Sequence, residues 1–212
     1  NVPVAVSTSG DMGGQSVSTI AAGGQHTCAV AADNRAYCWG YDADGQLGSE
    51  YTYTYRCWIF FTCTATDMRD RTTPAAVDTD GTMGTRNVSS ISAGSSHTCA
   101  IANGAVYCWG LGTSGQLGNG AKSTTYLSKA VTTSTMSATV SAISAGANSA
   151  CAIAAGAAYC WGVGGAGQLG NAASNDVSAP VAVAENGAMK AGTVTSIASG
   201  TSHGCAVSDG LA

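Results

Sequence analysis

Short runs of alternating apolar and polar residues recur along the chain, and glycine follows most of them. The clearest run reads Val-x-x-Ile-x-x-Gly and starts at Val17, Val88, Val140 and Val194. A second alternating run, which carries a cysteine, comes shortly after each of them. Alternation with a period of two is typical of half-buried β-strands, and glycine-rich turns reverse such strands. The pattern therefore predicts pairs of short antiparallel strands.

The paired runs belong to a longer repeat. The second and third copies begin 52 residues apart, and the third and fourth begin 54 residues apart. Two further motifs complete the first three copies: Tyr-Cys-Trp-Gly at 37–40, 107–110 and 159–162, and Gly-Gln-Leu-Gly at 45–48, 115–118 and 167–170. Repeats of this length that contain several short strands are typical of β-propeller blades.

A fourth strand is predicted in each unit. Val-Pro-Val-Ala-Val at 2–6 recurs in similar form at 73–77 and 179–183, and residues 129–131 take its place in the second unit. Because proline has no N–H to donate, this strand should lie at the edge of its blade or start at the proline. We therefore predict an all-β fold of propeller blades, each with four antiparallel strands.

The two motifs, with Gly-x-x-His-Thr upstream of them, resemble the repeats of the regulator of chromosome condensation family. The resemblance covers nearly the whole chain except residues 49–73, and the cysteines point to a secreted, disulfide-containing branch. Members of this family typically form propellers of seven blades. The resemblance therefore implies that about three and a half blades are present, as an incomplete part of a larger propeller.

We expect one repeat domain over residues 1–212. Its parts are the last strand of a preceding blade with a linker (1–16), repeat 1 (17–87) with an insertion (49–73), repeat 2 (88–139), repeat 3 (140–193) and a truncated repeat 4 (194–212). Blades cover each other's faces by stacking. An arc of this kind should therefore be completed by further blades of the same polypeptide or by other protein subunits.

The nine cysteines suggest a disulfide framework. One cysteine lies on each arm of a predicted hairpin in three units, which favours the pairs Cys28–Cys38, Cys99–Cys108 and Cys151–Cys160. Cys57 and Cys63 form a fourth pair inside the insertion, and Cys205 is left unpaired because its expected partner would lie just past residue 212. Disulfides at this density favour an extracellular or cell-surface location. Zinc is the alternative, but the spacing lacks the Cys-x-x-Cys clusters of zinc sites.

Composition narrows the classes of partner. Charged residues make up 9% of the chain and the net charge is −4, so the chain lacks the basic surface that nucleic-acid binding needs. The longest apolar stretch, at about 150–163, is shorter than the roughly 20 residues of a membrane span. We therefore expect neither nucleic acid nor a membrane span, and glycans remain candidate ligands.

Candidate polar sites have structural alternatives. His26, His97 and His203 recur at one repeat position where the third unit has Ser149, so we interpret them as structural. The tryptophans of the Tyr-Cys-Trp-Gly motifs should pack between blades. Residues 42–45, Asp-Ala-Asp-Gly, resemble the start of a calcium loop but lack its later acidic ligands, so an ordinary turn is favoured.

No catalytic or cofactor-binding motif is present in the sequence, so we expect no enzyme activity, cofactor or metal. Asn87 begins the chain's one Asn-x-Ser/Thr sequon and is a candidate N-glycosylation site.

Residues 49–73 interrupt the first repeat with a concentration of aromatic residues. Alternation in Tyr-Thr-Tyr-Thr-Tyr would place three rings on one face of a strand. Aromatic rings and arginine are favoured at protein-binding hot spots, although the rings could instead pack against the propeller itself. The predicted partner-binding residues are Tyr51, Tyr53, Tyr55, Arg56, Trp58, Phe60 and Phe61, with Arg69 and Arg71 nearby.

These features favour a non-catalytic, disulfide-braced extracellular propeller that serves as a structural or adhesive part of a cell-surface or filament assembly. The alternative is a soluble propeller that binds carbohydrate or inhibits an enzyme through the aromatic insertion. Nucleotide exchange inside the nucleus, known in this family, conflicts with the cysteine pairs. The family's light sensors carry Trp-Arg where this chain has Gly24-Gln25 and Ser95-Ser96.

Overall fold

The computed structural model describes residues 2, 4–7, 10–58, 61–78, 80–131, 136, 138–184 and 192–209. Every regular secondary-structure element in these ranges is a β-strand. Three four-stranded antiparallel sheets follow one another along the chain, and two two-stranded sheets accompany them. This is the all-β arrangement of four-stranded blades that the repeats predict.

The strands of each blade appear in the order of the repeat. Blade 1 contains β1 (Val17–Ala22), β2 (His26–Ala31), β3 (Ala36–Gly40) and β6 (Arg71–Ala76). Blade 2 contains β7 (Val88–Ala93), β8 (His97–Ala102), β9 (Ala105–Gly110) and β10 (Thr125–Ala130). Blade 3 contains β11 (Val140–Ala145), β12 (Ser149–Ala154), β13 (Ala157–Gly162) and β14 (Val177–Ala182). The last pair is β15 (Val194–Ser199) with β16 (Gly204–Ser208).

Local chemistry explains where the strands turn and end. Asn103 and Gly104 form the two-residue turn between β8 and β9, and both have positive φ, 49° and 77°. Asparagine and glycine tolerate this conformation, which suits the twist of a tight hairpin. The fourth strands β6 and β14 contain Pro74 and Pro180, and both strands lie at a sheet edge. The edge position expected from proline is confirmed.

The core lies between successive blades. One cluster joins Val30 and Leu47 of the first repeat to Ile91, Ala100 and Trp109 of the second. An equivalent cluster joins the second repeat to the third around Trp161. Each blade is thin and covers its apolar face with the next one, so burial is shared between repeats rather than contained within them.

The insertion forms a separate hairpin, β4 (Tyr51–Trp58) with β5 (Phe61–Asp67), whose two strands pair with each other in a sheet of their own. The fourth strand of blade 1 already begins at Arg71, so the last residues of the expected insertion belong to the blade. At the start of the chain, residues 2 and 4–7 carry no regular secondary structure.

Candidate functional site

A shared hydrogen-bond arrangement joins blade 1 to blade 2. The indole N–H of Trp109 donates to the main-chain oxygen of Gln46 at 3.0 Å, and the Thr98 hydroxyl donates to the same oxygen at 2.8 Å. Nε2 of His26 lies 2.8 Å from that hydroxyl oxygen. Since the single hydroxyl proton goes to Gln46, Nε2 must carry the proton and donate to Thr98. These residues hold the blades together, as the structural interpretation of the histidine and tryptophan predicts.

The interface between blades 2 and 3 has the equivalent tryptophan hydrogen bond but lacks the one made by the histidine. Trp161 donates to the main-chain oxygen of Gln116 at 2.9 Å. Ala150 stands where blade 2 has Thr98, and neither ring nitrogen of the fully buried His97 has a hydrogen-bond partner among the described residues. Its ring is thus held by packing alone.

Burial keeps both interface histidines neutral. Desolvation lowers the pKa of His26 to about 4, and it lowers the pKa of His97 to about 4 with a smaller contribution from His26. Neutral, enclosed imidazoles between blades have a structural role. His203, at the same repeat position, is exposed.

The calcium-like segment at 42–45 is a turn. Oδ1 of Asp42 accepts a hydrogen bond from the Leu47 main-chain N–H at 2.9 Å, and the Gly45 N–H donates to the Asp42 carbonyl. Burial raises the pKa of Asp42 to about 6. Within the described ranges, no group of three or more His, Cys, Asp or Glu side chains is arranged to hold a metal ion.

Four disulfides brace the described chain: Cys28–Cys38, Cys57–Cys63, Cys99–Cys108 and Cys151–Cys160. The three blade disulfides join directly opposed residues of the second and third strands, with Cα atoms 4.1 Å apart. These are the pairs that the hairpin pattern predicts, and they fit an oxidising environment. Cys205 is a free, exposed thiol.

The β4–β5 hairpin presents exposed rings near its tip. Trp58 is 76% exposed and Tyr55 is 47% exposed, and Arg56 lies between them in sequence and is exposed as well. Cys57–Cys63 joins the two strands beside these residues. Phe60 lies outside the described residues, and for Tyr51, Tyr53 and Phe61 the strand positions are defined but the side chains are not. The described part of the predicted partner-binding set therefore faces solvent.

Asn87 is exposed and lies directly before β7. Its carbonyl accepts a hydrogen bond from the Asn103 N–H, while its side chain belongs to the surface. Glycosylation at Asn87 stays a prediction. No helix of the described chain is long and apolar enough to cross a membrane.

The side of blade 3 next to β15 and β16 contains a cavity of about 290 Å³. Its lining includes Gln168, Leu169, Gly170, Ile197 and Cys205. In blades 1 and 2 the corresponding Gly-Gln-Leu-Gly segments contact the tryptophan of the following blade: a Cβ on Gly48 would lie 2.6 Å from Nε1 of Trp109. Gly170 has no such neighbour in the described residues, and a Cβ there would meet Val183 first, at 3.1 Å.

Sequence reasoning missed two parts of the blade interface. The acceptor for each tryptophan is a main-chain oxygen, Gln46 or Gln116, and no side-chain pattern reveals a main-chain acceptor. The repeated Gly-Gln-Leu-Gly motif was the available signal, because an unvarying segment next to an unvarying tryptophan suggests contact. The role of Thr98 was hidden because only its three-dimensional position joins it to His26.

Four-stranded blades, stacked in series and braced by a disulfide in each hairpin, define the chain as a β-propeller repeat protein. The Regulator of chromosome condensation (RCC1) repeat matches at residues 33–101, 103–153 and 155–207, and a second form of this repeat matches at 17–46 and 88–116. The chain belongs to the regulator of chromosome condensation repeat family.

A curated relative is the human E3 ubiquitin-protein ligase HERC2, which is 31% identical over 160 residues. That match covers 74% of this chain and 3% of HERC2, so the chain spans a small part of this relative's length.

Solved structures share the fold at lower identity. Human WBSCR16 matches 94% of this chain and 46% of its own, with 23% identity and a TM-score of 0.75. Prp20p from Saccharomyces cerevisiae, described with its binding to Gsp1p and histones, matches 91% and 44% at 21% identity and TM-score 0.66. The ectodomain of the Arabidopsis thaliana receptor kinase ACR4 matches 94% and 54% at 18% identity and TM-score 0.53. At these identities the likeness shows the fold alone.

Proposed function

We propose that the chain is a non-catalytic, extracellular structural or adhesive propeller, part of a cell-surface or filament assembly, and that it contacts protein partners through the β4–β5 hairpin. The observation that carries this proposal is the hairpin itself. It is a disulfide-closed ribbon beside a blade, and Trp58 at its tip is 76% exposed. Large exposed rings next to arginine are the residues that dominate protein interfaces.

Other observations support the setting and the type of partner. Four disulfides in 212 residues favour an oxidising compartment. The fold occurs in the ectodomain of ACR4, and Prp20p is described as binding the proteins Gsp1p and histones. The first likeness supports the extracellular setting, and the second supports a protein as the type of partner.

The test removes the hairpin and leaves blade 1 intact. Tyr51 and Asp67 are directly paired, so an Asn-Gly turn can join residues 50 and 68 with little change in geometry. We expect this variant to lose at least about tenfold in binding to the surface of the cells that produce the protein, and Trp58→Ala to lose a large part of it. The measurement is the fraction of labelled protein that stays bound to the cells.

Tyr41→Ala is the matched control, because Tyr41 is an exposed aromatic outside the hairpin, at 40% exposure. Its binding should stay within about twofold of the wild type, as expected for a ring outside the interface. Circular dichroism establishes that each variant is folded. Unchanged binding by a folded hairpin-deletion variant would remove this role for the hairpin.

Carbohydrate binding is the second candidate. It is favoured by the exposed Trp58 ring, which could stack on the apolar face of a sugar. A glycan array distinguishes the two functions: signals that disappear with Trp58→Ala favour sugar, and a blank array with retained cell-surface binding favours a protein partner.

A further inference from the structure

A cavity of about 420 Å³ lies between blades 1 and 2, beside the turn that joins β2 to β3. Both blades that enclose it are complete four-stranded sheets. Its volume falls within the range of about 300–1,000 Å³ that is typical of small-molecule sites. The polar part of its lining includes Arg35, Arg86, Asp33, Asn34 and Asn87. We propose that this cavity binds a small organic carboxylate whose body carries hydrogen-bonding groups.

The cavity lies where the first interface departs from the repeat. Two residues connect β8 to β9 and β12 to β13, whereas four residues, 32–35, connect β2 to β3. Between blades 2 and 3 a threonine covers the turn, because a Cβ at Gly104 would lie 2.6 Å from Cγ2 of Thr139. Asn87 stands in the place of this threonine between blades 1 and 2, directly before β7. The longer turn also brings Arg35 to the cavity.

The chain around Arg86 holds its guanidinium in place. Nη1 donates to the main-chain oxygens of Thr82 and Met83, the second at 2.7 Å. Cζ of Arg86 lies over the Tyr107 ring, 5.5 Å from its centroid. These two hydrogen bonds use one of the three guanidinium nitrogens, so the other two are available to a ligand. A guanidinium that is already oriented loses little freedom on binding, and its planar donors match the two oxygens of a carboxylate.

The second arginine also lies on an aromatic ring, and an ionised carboxylate stands beside it. Cζ of Arg35 is 5.8 Å from the centroid of the Tyr37 ring. The Tyr37 hydroxyl donates to Asp33 at 2.7 Å, and Nε2 of Gln15 donates to the same carboxylate at 3.0 Å. Desolvation raises the pKa of Asp33, but these hydrogen bonds, one from the Arg35 main chain and the Arg35 charge together hold it below its usual value. Asp33 is therefore negatively charged at neutral pH.

The charges of the lining select the class of ligand. Two guanidinium groups and one carboxylate leave a single positive charge, which matches a carboxylate; the second negative charge of a phosphate ester would be opposed by Asp33. Asn34 and Asn87 line the same cavity, and amide side chains both donate to and accept from hydroxyl and amide groups. Two sources supply this chemistry, a sugar acid and an acylated amino acid. This inference goes beyond the proposed function and does not involve the hairpin.

The methionine methyl signals in NMR spectra test the cavity without any substitution. Met83 lines the cavity, and Met136 has the equivalent buried position between blades 2 and 3. The probes are glucuronate and N-acetylalanine, each compared with its neutral amide, on protein whose intact mass shows no sugar at Asn87. We expect at least one carboxylate to shift the Met83 signal saturably and to bind at least about tenfold more tightly than its amide. The Met136 signal should stay in place.

Three variants test the charges of the lining. Arg35→Gln removes one guanidinium group and should weaken binding of the carboxylate at least about tenfold. Arg56→Gln is the matched control, because Arg56 is an exposed arginine outside the lining, and its affinity should stay within about twofold of the wild type. Asp33→Asn removes the opposing charge and should strengthen binding by about threefold or more. Damage to the turn would not produce such a gain.

The two probes also distinguish the sources of the carboxylate. A response to glucuronate identifies a sugar acid as the ligand class, and a response to N-acetylalanine alone identifies an acylated amino acid. A Met83 signal that moves with neither carboxylate, equal binding of acid and amide, or undiminished binding by Arg35→Gln would overturn the carboxylate site. Any of these results would leave the hairpin proposal unaffected, because the hairpin is not part of the assay.

Discussion

Thr98 and Ala150 occupy the same position in consecutive blades, and this difference changes what the preceding histidine can bond. The Thr98 hydroxyl accepts from His26 and donates to the Gln46 oxygen, both at 2.8 Å. Ala150 can do neither, so His97 is buried without a partner among the described residues. An unsatisfied buried polar group costs about 1–3 kcal/mol. The second interface should therefore be the less stable of the two.

Replacing Ala150 by threonine should strengthen that interface. The Ala150→Thr hydroxyl would lie between His97 and the Gln116 oxygen, as Thr98 lies between His26 and Gln46. We expect the free energy of unfolding in urea to rise by about 1 kcal/mol. Ala150→Val is the matched control, because it has nearly the same shape without the hydroxyl. Equal stabilisation by valine would show that added packing, not the hydrogen bond, is responsible.

The buried histidines also make stability depend on pH. The pKa of His97 is about 4 in the folded chain, against 6.5 for the free side chain. Above pH 6.5 the His97 side chain is neutral in both the folded and the unfolded chain. Between pH 6.5 and pH 4 only the unfolded chain binds a proton at this side chain, so the free energy of unfolding falls as the pH is lowered. His97→Ser, which copies Ser149 of the third repeat, removes this contribution.

Between pH 7 and pH 4, the free energy of unfolding of the wild type should fall by up to about 3 kcal/mol more than that of His97→Ser. The raised pKa of Asp42, about 6, acts in the opposite direction below pH 6, but it is present in both proteins and cancels in the comparison. Urea unfolding at several pH values measures the difference. A difference independent of pH would show that His97 titrates normally in the fold.

Single strands and hairpins were largely predictable from the sequence. The period-two runs, the Asn103-Gly104 turn and the edge placement of Pro74 and Pro180 all follow from local chemistry that the structure confirms. The contacts between blades were harder to predict from the sequence. Whether a threonine faces a histidine some 70 residues away depends on the stacking of two sheets, and a main-chain acceptor leaves no side-chain signal.

A disulfide inside a blade and the disulfide of the β4–β5 hairpin should differ in how much they stabilise the fold. Cys99–Cys108 braces a hairpin in the middle of blade 2, inside the stacked core. Cys57–Cys63 braces the β4–β5 ribbon, whose strands pair with each other and, among the described residues, with no blade strand. A bridge that closes a loop of about ten residues contributes roughly 2–3 kcal/mol in the chain-entropy model.

We therefore expect Cys99→Ala with Cys108→Ala to lower the free energy of unfolding by about 2–3 kcal/mol. Cys57→Ala with Cys63→Ala should leave global unfolding nearly unchanged, while proteolysis within the hairpin becomes faster. Urea unfolding and limited proteolysis, followed by mass spectrometry, separate the two effects. A large global loss from the hairpin pair would mean that the ribbon contributes to the stacked core.

At the scale of the whole molecule, the stacking order determines which apolar positions are covered. Val88 and Ile91 of β7 lie against blade 1 and are 2% and 7% exposed. The same repeat positions in β1, Val17 and Ile20, are 44% and 64% exposed. The outer face of blade 1 is therefore an apolar surface of the type that blades 2 and 3 bury, presented to solvent by the described chain.

This face should drive association of the 212-residue chain with itself. Ile20→Thr keeps a β-branched residue in the strand and makes the surface more polar, so we expect a shift toward monomer in sedimentation velocity over a range of concentrations, with the free energy of unfolding unchanged. Ile91→Thr, at the equivalent buried position, should instead lower stability by roughly 1–3 kcal/mol. Trp58→Ala tests whether the β4–β5 hairpin, rather than the outer face of blade 1, is responsible for the association. Association that persists in Ile20→Thr and disappears in Trp58→Ala would assign self-association to the aromatic ribbon and leave the blade face without that role.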